Sequence, residues 1–191
     1  MRLNLGCGYK KLPGYINVDK LALFQPDQVV DLEKLPWPWQ TDDAEEVMLS
    51  HVLEQLGAAP DLYLGIMKEL YRVCRDGATV TVVAAHPRHD TFLDNPANVR
   101  PITVDGLLLF SQSFFRQNQA QGYPDRPLGA ELGIDFTIQS LNMALDEPWH
   151  GKLQRKEISE AEVQQAVRGN NNVASSITIV MKAVKPAGKV G

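Results

Sequence analysis

Leu3-Asn4-Leu5-Gly6-Cys7-Gly8, then Asn17-Val18-Asp19 and Val30-Asp31-Leu32, form the stretch whose reading decides the fold. Two further runs, Glu46-Val47-Met48-Leu49 closing at Ser50-His51 and Thr79 to Ala85, repeat the theme. Each is a short, mostly apolar run that ends in a glycine or a polar residue. Runs of this kind suit strands buried on both faces of a parallel sheet, where alternation with polar residues is not required. Between the last two lies a segment predicted as helix over 60–74. There Leu62, Ile66, Leu70 and Cys74 recur every four residues, and Tyr63, Met67 and Val73 widen the stripe. Pro60 suits a helix start, and Gly77 stands where a left-handed cap is wanted. Strand, helix and strand in this order build right-handed crossovers, so the expectation is an α/β chain with a doubly wound, mostly parallel sheet.

The second half is less regular. Residues 86–101 are polar and carry Pro87, Pro96 and Pro101, which reads as a long loop. Residues 103–119 have Val104, Leu107, Leu108, Ser111, Phe114 and Phe115 on one side of a helix, and 120–133 is again loop. Ile134, Phe136 and Ile138 alternate as in a strand, whereas Leu141, Met143 and Leu145 alternate on the opposite parity. That change demands a bulge or break near Gln139-Ser140. Ser159 with Glu162 makes a capping box, Ile158 with Val163 a hydrophobic staple, and a last strand is expected over 175–184. One domain is expected over 1–186, with 87–133 as a cap or substrate-side insertion and 187–191 as a frayed tail.

The chain has 191 residues, of which 44% are hydrophobic, and 19 Lys and Arg stand against 23 Asp and Glu, for a net charge of -4. That is enough apolar material for one core, and it excludes disordered and coiled-coil classes. Without a basic surplus, nucleic acid is not an expected partner. Two cysteines, Cys7 and Cys74, are too few for a disulfide framework and suggest a reducing compartment. A strand at the very start leaves no room for a signal peptide, and no apolar stretch reaches the ~20 residues of a spanning helix. A soluble, cytoplasmic protein with no membrane partner is expected.

Four polar sites fall at the carboxyl ends of the first four strands: Gly6-Cys7-Gly8, Asp19, Asp31 and Ser50-His51. Ligands of open parallel sheets bind in the crevice outside those ends. Glycines after the first strand let main chain approach a ligand closely. An acid after the second strand can accept from two ribose hydroxyls, and one after the third can accept from an adenine amino group. A dinucleotide would want a third glycine and a helix N-terminus for its pyrophosphate. Here Lys11 takes the place of that glycine, and only residues 6–15 separate the first two strands, too few for more than about a turn of helix. A nicotinamide oxidoreductase is therefore disfavoured, and an adenosyl ligand without phosphates fits better.

These motifs, together with Ser50-His51-Val52-Leu53-Glu54-Gln55-Leu56 and Leu70-Tyr71-Arg72-Val73-Cys74-Arg75-Asp76-Gly77-Ala78, resemble the ordered motifs of class I S-adenosylmethionine-dependent methyltransferases, most closely the small type 11-like group. The resemblance spans about residues 2–86. It implies a Rossmann-like fold with an antiparallel C-terminal strand and S-adenosylmethionine as cofactor. It further implies that Gly6, Cys7 and Gly8 line the methionyl part and that Asp19 binds the ribose. Asp31 and the backbone of Leu32 would bind adenine, while Ser50 and His51 would face the methyl group and its acceptor. Tyr9-Lys10-Lys11 and the shortened first helix are variations on the pattern. Methyl transfer from a sulfonium is an in-line displacement that alignment and water exclusion can drive, and a hydroxyl acceptor would gain from a general base, for which His51 is best placed. The expected acceptor is a small molecule or a sugar precursor. The alternative is a catalytically silent S-adenosylmethionine-binding or interaction protein on the same fold.

Several other features have plainer readings. His86, His89 and Asp90 match no metal-ligand spacing, so no metal is expected. Trp37 and Trp39 suit either a lid or a packed turn. Phe110, Phe114 and Phe115 suit core packing, an acceptor wall or a homodimer face.

Overall fold

The computed structural model describes residues 1–122 and 126–188. Seven strands form one sheet: β1 (Arg2–Leu5), β2 (Ile16–Asp19), β3 (Gln28–Val29), β4 (Ala44–Ser50), β5 (Cys74–Ala85), β6 (Phe136–Leu145) and β7 (Ala174–Ala183). Their order is β3-β2-β1-β4-β5-β7-β6. The first five pair in parallel, and β7 runs antiparallel between β5 and β6. This is the doubly wound, mostly parallel Rossmann-like sheet, with its antiparallel strand at the C-terminal end. Strand order reverses between β1 and β4, and the site expected from the sequence lies at the carboxyl ends of those strands.

The apolar runs are buried as their composition requires. Leu3 and Leu5 on β1, Val47 and Leu49 on β4, and Val80, Val82 and Ala84 on β5 join Ile177, Ile179 and Met181 on β7 in the main core. Helix α1 (Pro60–Val73) lays Ile66, Met67 and Leu70 onto this core. Its end differs from the expectation. The chain leaves α1 at Cys74 in extended conformation and enters β5 directly. Gly77, at φ +72°, serves the sheet instead of the helix, because pairing with β4 jumps from Ala44–Cys74 to Glu46–Thr79. The residues between are a bulge that needs a left-handed position.

The predicted helix over 103–119 is two helices, α3 (Val104–Leu108) and α4 (Gln112–Ala120), following the short α2 (Asp90–Leu93) inside the predicted loop. Ser111 divides them, because its hydroxyl accepts from the Phe114 N–H and so caps a new start. Ile102, Leu107 and Phe110 are buried in the main core. Helix α5 (Leu128–Leu132) closes the segment and leads to Phe136, whose N–H donates to the Phe110 carbonyl. Of the three phenylalanines, Phe110 is core, whereas Phe114 and Phe115 are half-buried.

The expected change of parity in β6 is present, with the register against β7 shifting between Ile138 and Ser140. A short α6 (Trp149–Gln154) was not foreseen. Helix α7 (Glu160–Gly169) carries the complete capping box, and Ile158 and Val163 pack in one satellite cluster with Val167 and Val173. At the C-terminal end, Ala187 packs against the core and the Gly188 carbonyl accepts from Gln112 Nε2, while 189–191 lie outside the described residues. Among the described residues no helix is long and apolar enough to cross a membrane.

Candidate functional site

The site begins with the turn that leaves β1. The Cys7 N–H donates to the Val18 carbonyl and the Lys10 N–H to the Cys7 carbonyl, so main chain closes this turn without any helix before β2. Side-chain amides take over the missing helix's role. Buried Asn4 donates through Nδ2 to the Lys10 carbonyl and to Asn17 Oδ1, both at 2.9 Å. Asn17 in turn accepts from the Leu12 N–H and donates to Asp27 Oδ2. Bonds from the Asn17 main-chain and side-chain N–H groups hold the Asp27 carboxyl below its ordinary range. Two polar residues inside otherwise apolar strands thus pin the glycine turn. Gly6 must be glycine, since at φ +68° an added Cβ would stand 2.4 Å from Val52 Cγ2.

Asp19 ends β2 and is 9% exposed. Its Oδ2 accepts from the Gly8 N–H at 2.9 Å and its Oδ1 from the Leu21 N–H at 3.0 Å. A carboxylate has about four lone-pair sites, so two remain for a ligand. Asp19, Gly6 and Gly8 line a cleft of about 280 Å³ with Asp31, Leu32 and His51. Leu21, Phe24, Val30 and Leu56 give it apolar walls. Asp31 Oδ1 accepts from the Glu33 N–H, which fixes the carboxylate at the mouth of the turn after β3. The Leu32 carbonyl accepts from Trp37 Nε1 at 2.9 Å. Trp37 and Trp39 are buried and packed edge-on at 5.8 Å, so they form a packed turn and not a lid.

Six of the eight residues singled out in the sequence therefore meet in one cleft. The other two, Cys7 and Ser50, line a neighbouring hollow of about 310 Å³ on the far side of Gly6 and His51, together with Met48 and Val83. Burial, reinforced by Asp19, pushes the Cys7 thiol above its ordinary value, and Cys74 is pushed to about 12 by burial. Neither thiol is a ready nucleophile.

His51 follows β4 in the left-handed conformation, at φ +55°. Its N–H donates to the Val83 carbonyl at 2.7 Å, which anchors the backbone while the side chain stays 53% exposed. It borders both hollows named so far. Behind it stands Glu54, whose side chain is 1% exposed. Glu54 Oε1 lies 3.4 Å from His51 Nδ1 and accepts from the Ala85 N–H at 3.1 Å. Glu54 and the Asn4–Asn17 pair are the residues that sequence reasoning missed. The available signal was a polar residue in an apolar setting: Asn4 between Leu3 and Leu5, and Glu54 beside Leu53.

His89, part of the rejected metal cluster, is engaged within the chain: its Nε2 is 2.8 Å from Asp146 Oδ2 and its Nδ1 is 2.9 Å from Thr91 Oγ1. Among the described residues no group of three or more His, Cys, Asp or Glu side chains is arranged to hold a metal ion.

No protein-family model matches the chain, and no curated protein sequence matches it. Solved structures do. A structure described as an S-adenosylmethionine-dependent methyltransferase from Archaeoglobus fulgidus superposes with TM-score 0.59 at 14% identity, covering 95% of this chain and 85% of the other. One from Methanosarcina mazei gives 0.55 at 13% identity over 96% and 92% of the two chains. A third, from Thermotoga maritima, gives 0.52 at 12% identity over 96% and 82%. At such identities the likeness is one of fold, and the fold is that of these methyltransferases.

Proposed function

We propose that the chain is an S-adenosylmethionine-dependent methyltransferase acting on a small-molecule acceptor. One observation carries this reading. The Asp19 carboxylate, the Gly6–Gly8 turn and Asp31 open into a single cleft with apolar walls, bordered by the one-turn 3-10 helices Ala22–Phe24 and Leu53–Gln55 but, among the described residues, by no α-helix N-terminus. That donor set fits an adenosyl group lacking phosphates, since a diphosphate would call for a helix end or a nest of free N–H groups.

In this reading the two uncommitted lone pairs of Asp19 accept from the ribose hydroxyls. Asp31 accepts from the adenine amino group, with the Leu32 backbone beside it, while Phe24, Val30 and Leu56 enclose the purine. Gly6, Cys7 and Gly8 bring main chain against the methionyl part. The bound cofactor supplies an electrophilic methyl group. Ser50 and His51 then face that group at the junction of the clefts, where His51 takes the proton of an acceptor hydroxyl. Placement in a walled crevice excludes water and aligns donor and acceptor, which is most of what such a displacement requires.

Calorimetric titration with S-adenosylmethionine and S-adenosylhomocysteine tests the reading. Saturable one-to-one binding of both is expected. Absence of binding by the folded protein would remove it.

A further inference from the structure

We infer that a third hollow, beside Glu54, receives the methyl acceptor, that this acceptor is a neutral polyhydroxyl compound, and that Glu54 is a positioning residue holding His51 as base for the acceptor hydroxyl. The inference rests on the adenosyl reading above and adds the acceptor class and the residue behind the base.

The hollow measures about 240 Å³ and shares His51 and Gln55 with the proposed adenosyl cleft, so the imidazole stands between the two. Thr91, Asn95, Asn98, Ser175 and Ser176 complete its wall with Glu54 and Ala85. Among the described residues, three buried side-chain polar atoms have no hydrogen-bond partner, and two of them, Glu54 Oε2 and Asn98 Oδ1, belong to this wall. Both are acceptors, and an unmet buried acceptor is a cost that a bound donor or a reoriented imidazole relieves.

The rest of the wall sets the acceptor's class. Ser175 Oγ donates to the Ala144 carbonyl, which leaves its oxygen free to accept, while the Thr91 hydroxyl is shared between the Ser175 carbonyl and His89 Nδ1. Asn95 Oδ1 accepts from the Ala97 N–H, which leaves its amide N–H groups to donate. A wall that both donates and accepts matches hydroxyl groups, which do the same. An ammonium only donates, so it would leave the Asn95 amide N–H groups unanswered, and among the described residues no Phe, Tyr or Trp lines this hollow to offer it a face beyond the Glu54 carboxylate. No Lys or Arg lines it either, so phosphate and carboxylate groups lack a counter-charge there.

Glu54 also ties the hollow together. Its carbonyl accepts from the Val99 and Arg100 N–H groups, fixing the loop that carries Asn95 and Asn98. The other charged groups that border hollows with His51 are Lys10, Asp19, Lys20 and Asp31. Among the described residues Glu54 is the acid within 4 Å of the His51 ring. Arg100 donates through Nη2 to the Gly57 carbonyl and lies over the face of Tyr63, away from the residues that line the hollow. In the reaction, the acceptor oxygen bonds to the methyl carbon as the carbon–sulfur bond breaks. Sulfur keeps that electron pair as a neutral thioether. The hydroxyl proton passes to His51 Nε2, with the Glu54 carboxylate 3.4 Å from Nδ1 on the other side of the ring.

The test joins cofactor calorimetry to labelled methyl transfer. Wild type, Glu54→Gln, Glu54→Asp and Ser176→Leu are titrated with S-adenosylmethionine. Transfer to glucose, myo-inositol and glycerol, and to putrescine and glutathione, then follows. Labelled product is expected with a polyol. Glu54→Gln should lower kcat about tenfold, less than the ~100-fold that losing a general base costs. Cofactor affinity should stay unchanged, so that the loss falls on kcat alone. Glu54→Asp should restore part of the lost rate, and Ser176→Leu should raise the acceptor KM with cofactor affinity unchanged. The inference is overturned if the cofactor binds but only the amine, only the thiol or none of the panel is methylated. A kcat unmoved by Glu54→Gln, or an acceptor KM unmoved by Ser176→Leu, overturns it as well. Loss of cofactor binding in wild type itself overturns the adenosyl reading beneath it.

Discussion

Asp19 holds the glycine turn, the proposed function gives it the ribose as well, and its substitutions separate the two. Its oxygens hold the Gly8 and Leu21 N–H groups, so Asp19→Ala would slacken the glycine turn as well as remove the ligand's acceptor. Asp19→Asn keeps one carbonyl oxygen and similar bulk. Losing a charge-assisted hydrogen bond costs about 1.5–3 kcal/mol, so S-adenosylhomocysteine binding should weaken about tenfold to ~100-fold in Asp19→Asn. Calorimetry on the folded variant measures this, and unchanged affinity would reject the ribose assignment. Asp19, Asp31 and His51 were legible because each closes an apolar run, a position that parallel sheets reserve for ligands. Glu54 was not legible. Its burial depends on Ala85 and on the loop to Arg100, contacts between segments about 31 to 46 residues apart that no local pattern encodes.

Among the elements, the strands and α1 follow from hydrophobic pattern, whereas their joints follow from single side chains. Ser111 splits one predicted helix into two, Gly77 serves a bulge in place of a cap, and Asn4 with Asn17 stands in for a missing helix. The turn over β3 and β4 shows the same economy. Glu69 on α1 accepts from the Trp37 N–H at 2.7 Å and from Arg72, and Arg72 donates to the Trp37 and Trp39 carbonyls. The Arg72 hydrogen bond, more than the Trp37 one, holds the Glu69 carboxyl below its ordinary range. A depressed carboxyl stabilises the fold above its unfolded value, about 4.3, and that contribution is lost as pH falls through the lower folded value. Glu69→Gln should therefore lower stability near neutral pH and flatten its decline in acid. Urea midpoints at about pH 7 and about pH 3.5 check this, since the difference between variant and wild type should shrink at the lower pH.

At the scale of the whole molecule, the strand order β3-β2-β1-β4-β5-β7-β6 gathers residues far apart in sequence onto one edge. Alternation of strand and helix made that edge predictable for the first half. The segment from Ile102 to Leu132 was harder to read, because its apolar residues enter the main core through α3 against β6 and through Phe110 against Tyr63 of α1 instead of through a repeating pattern. What borders the proposed acceptor hollow is the part between Thr91 and Asn98. The proposed chemistry depends on that corner lying next to an adenosyl compound. A crystal structure with S-adenosylhomocysteine bound decides the matter. Its ribose hydroxyls should lie within hydrogen-bonding distance of the Asp19 carboxylate, with adenine beside Asp31 and Leu32 and sulfur turned toward His51. Density for the compound anywhere else on the protein would contradict the account.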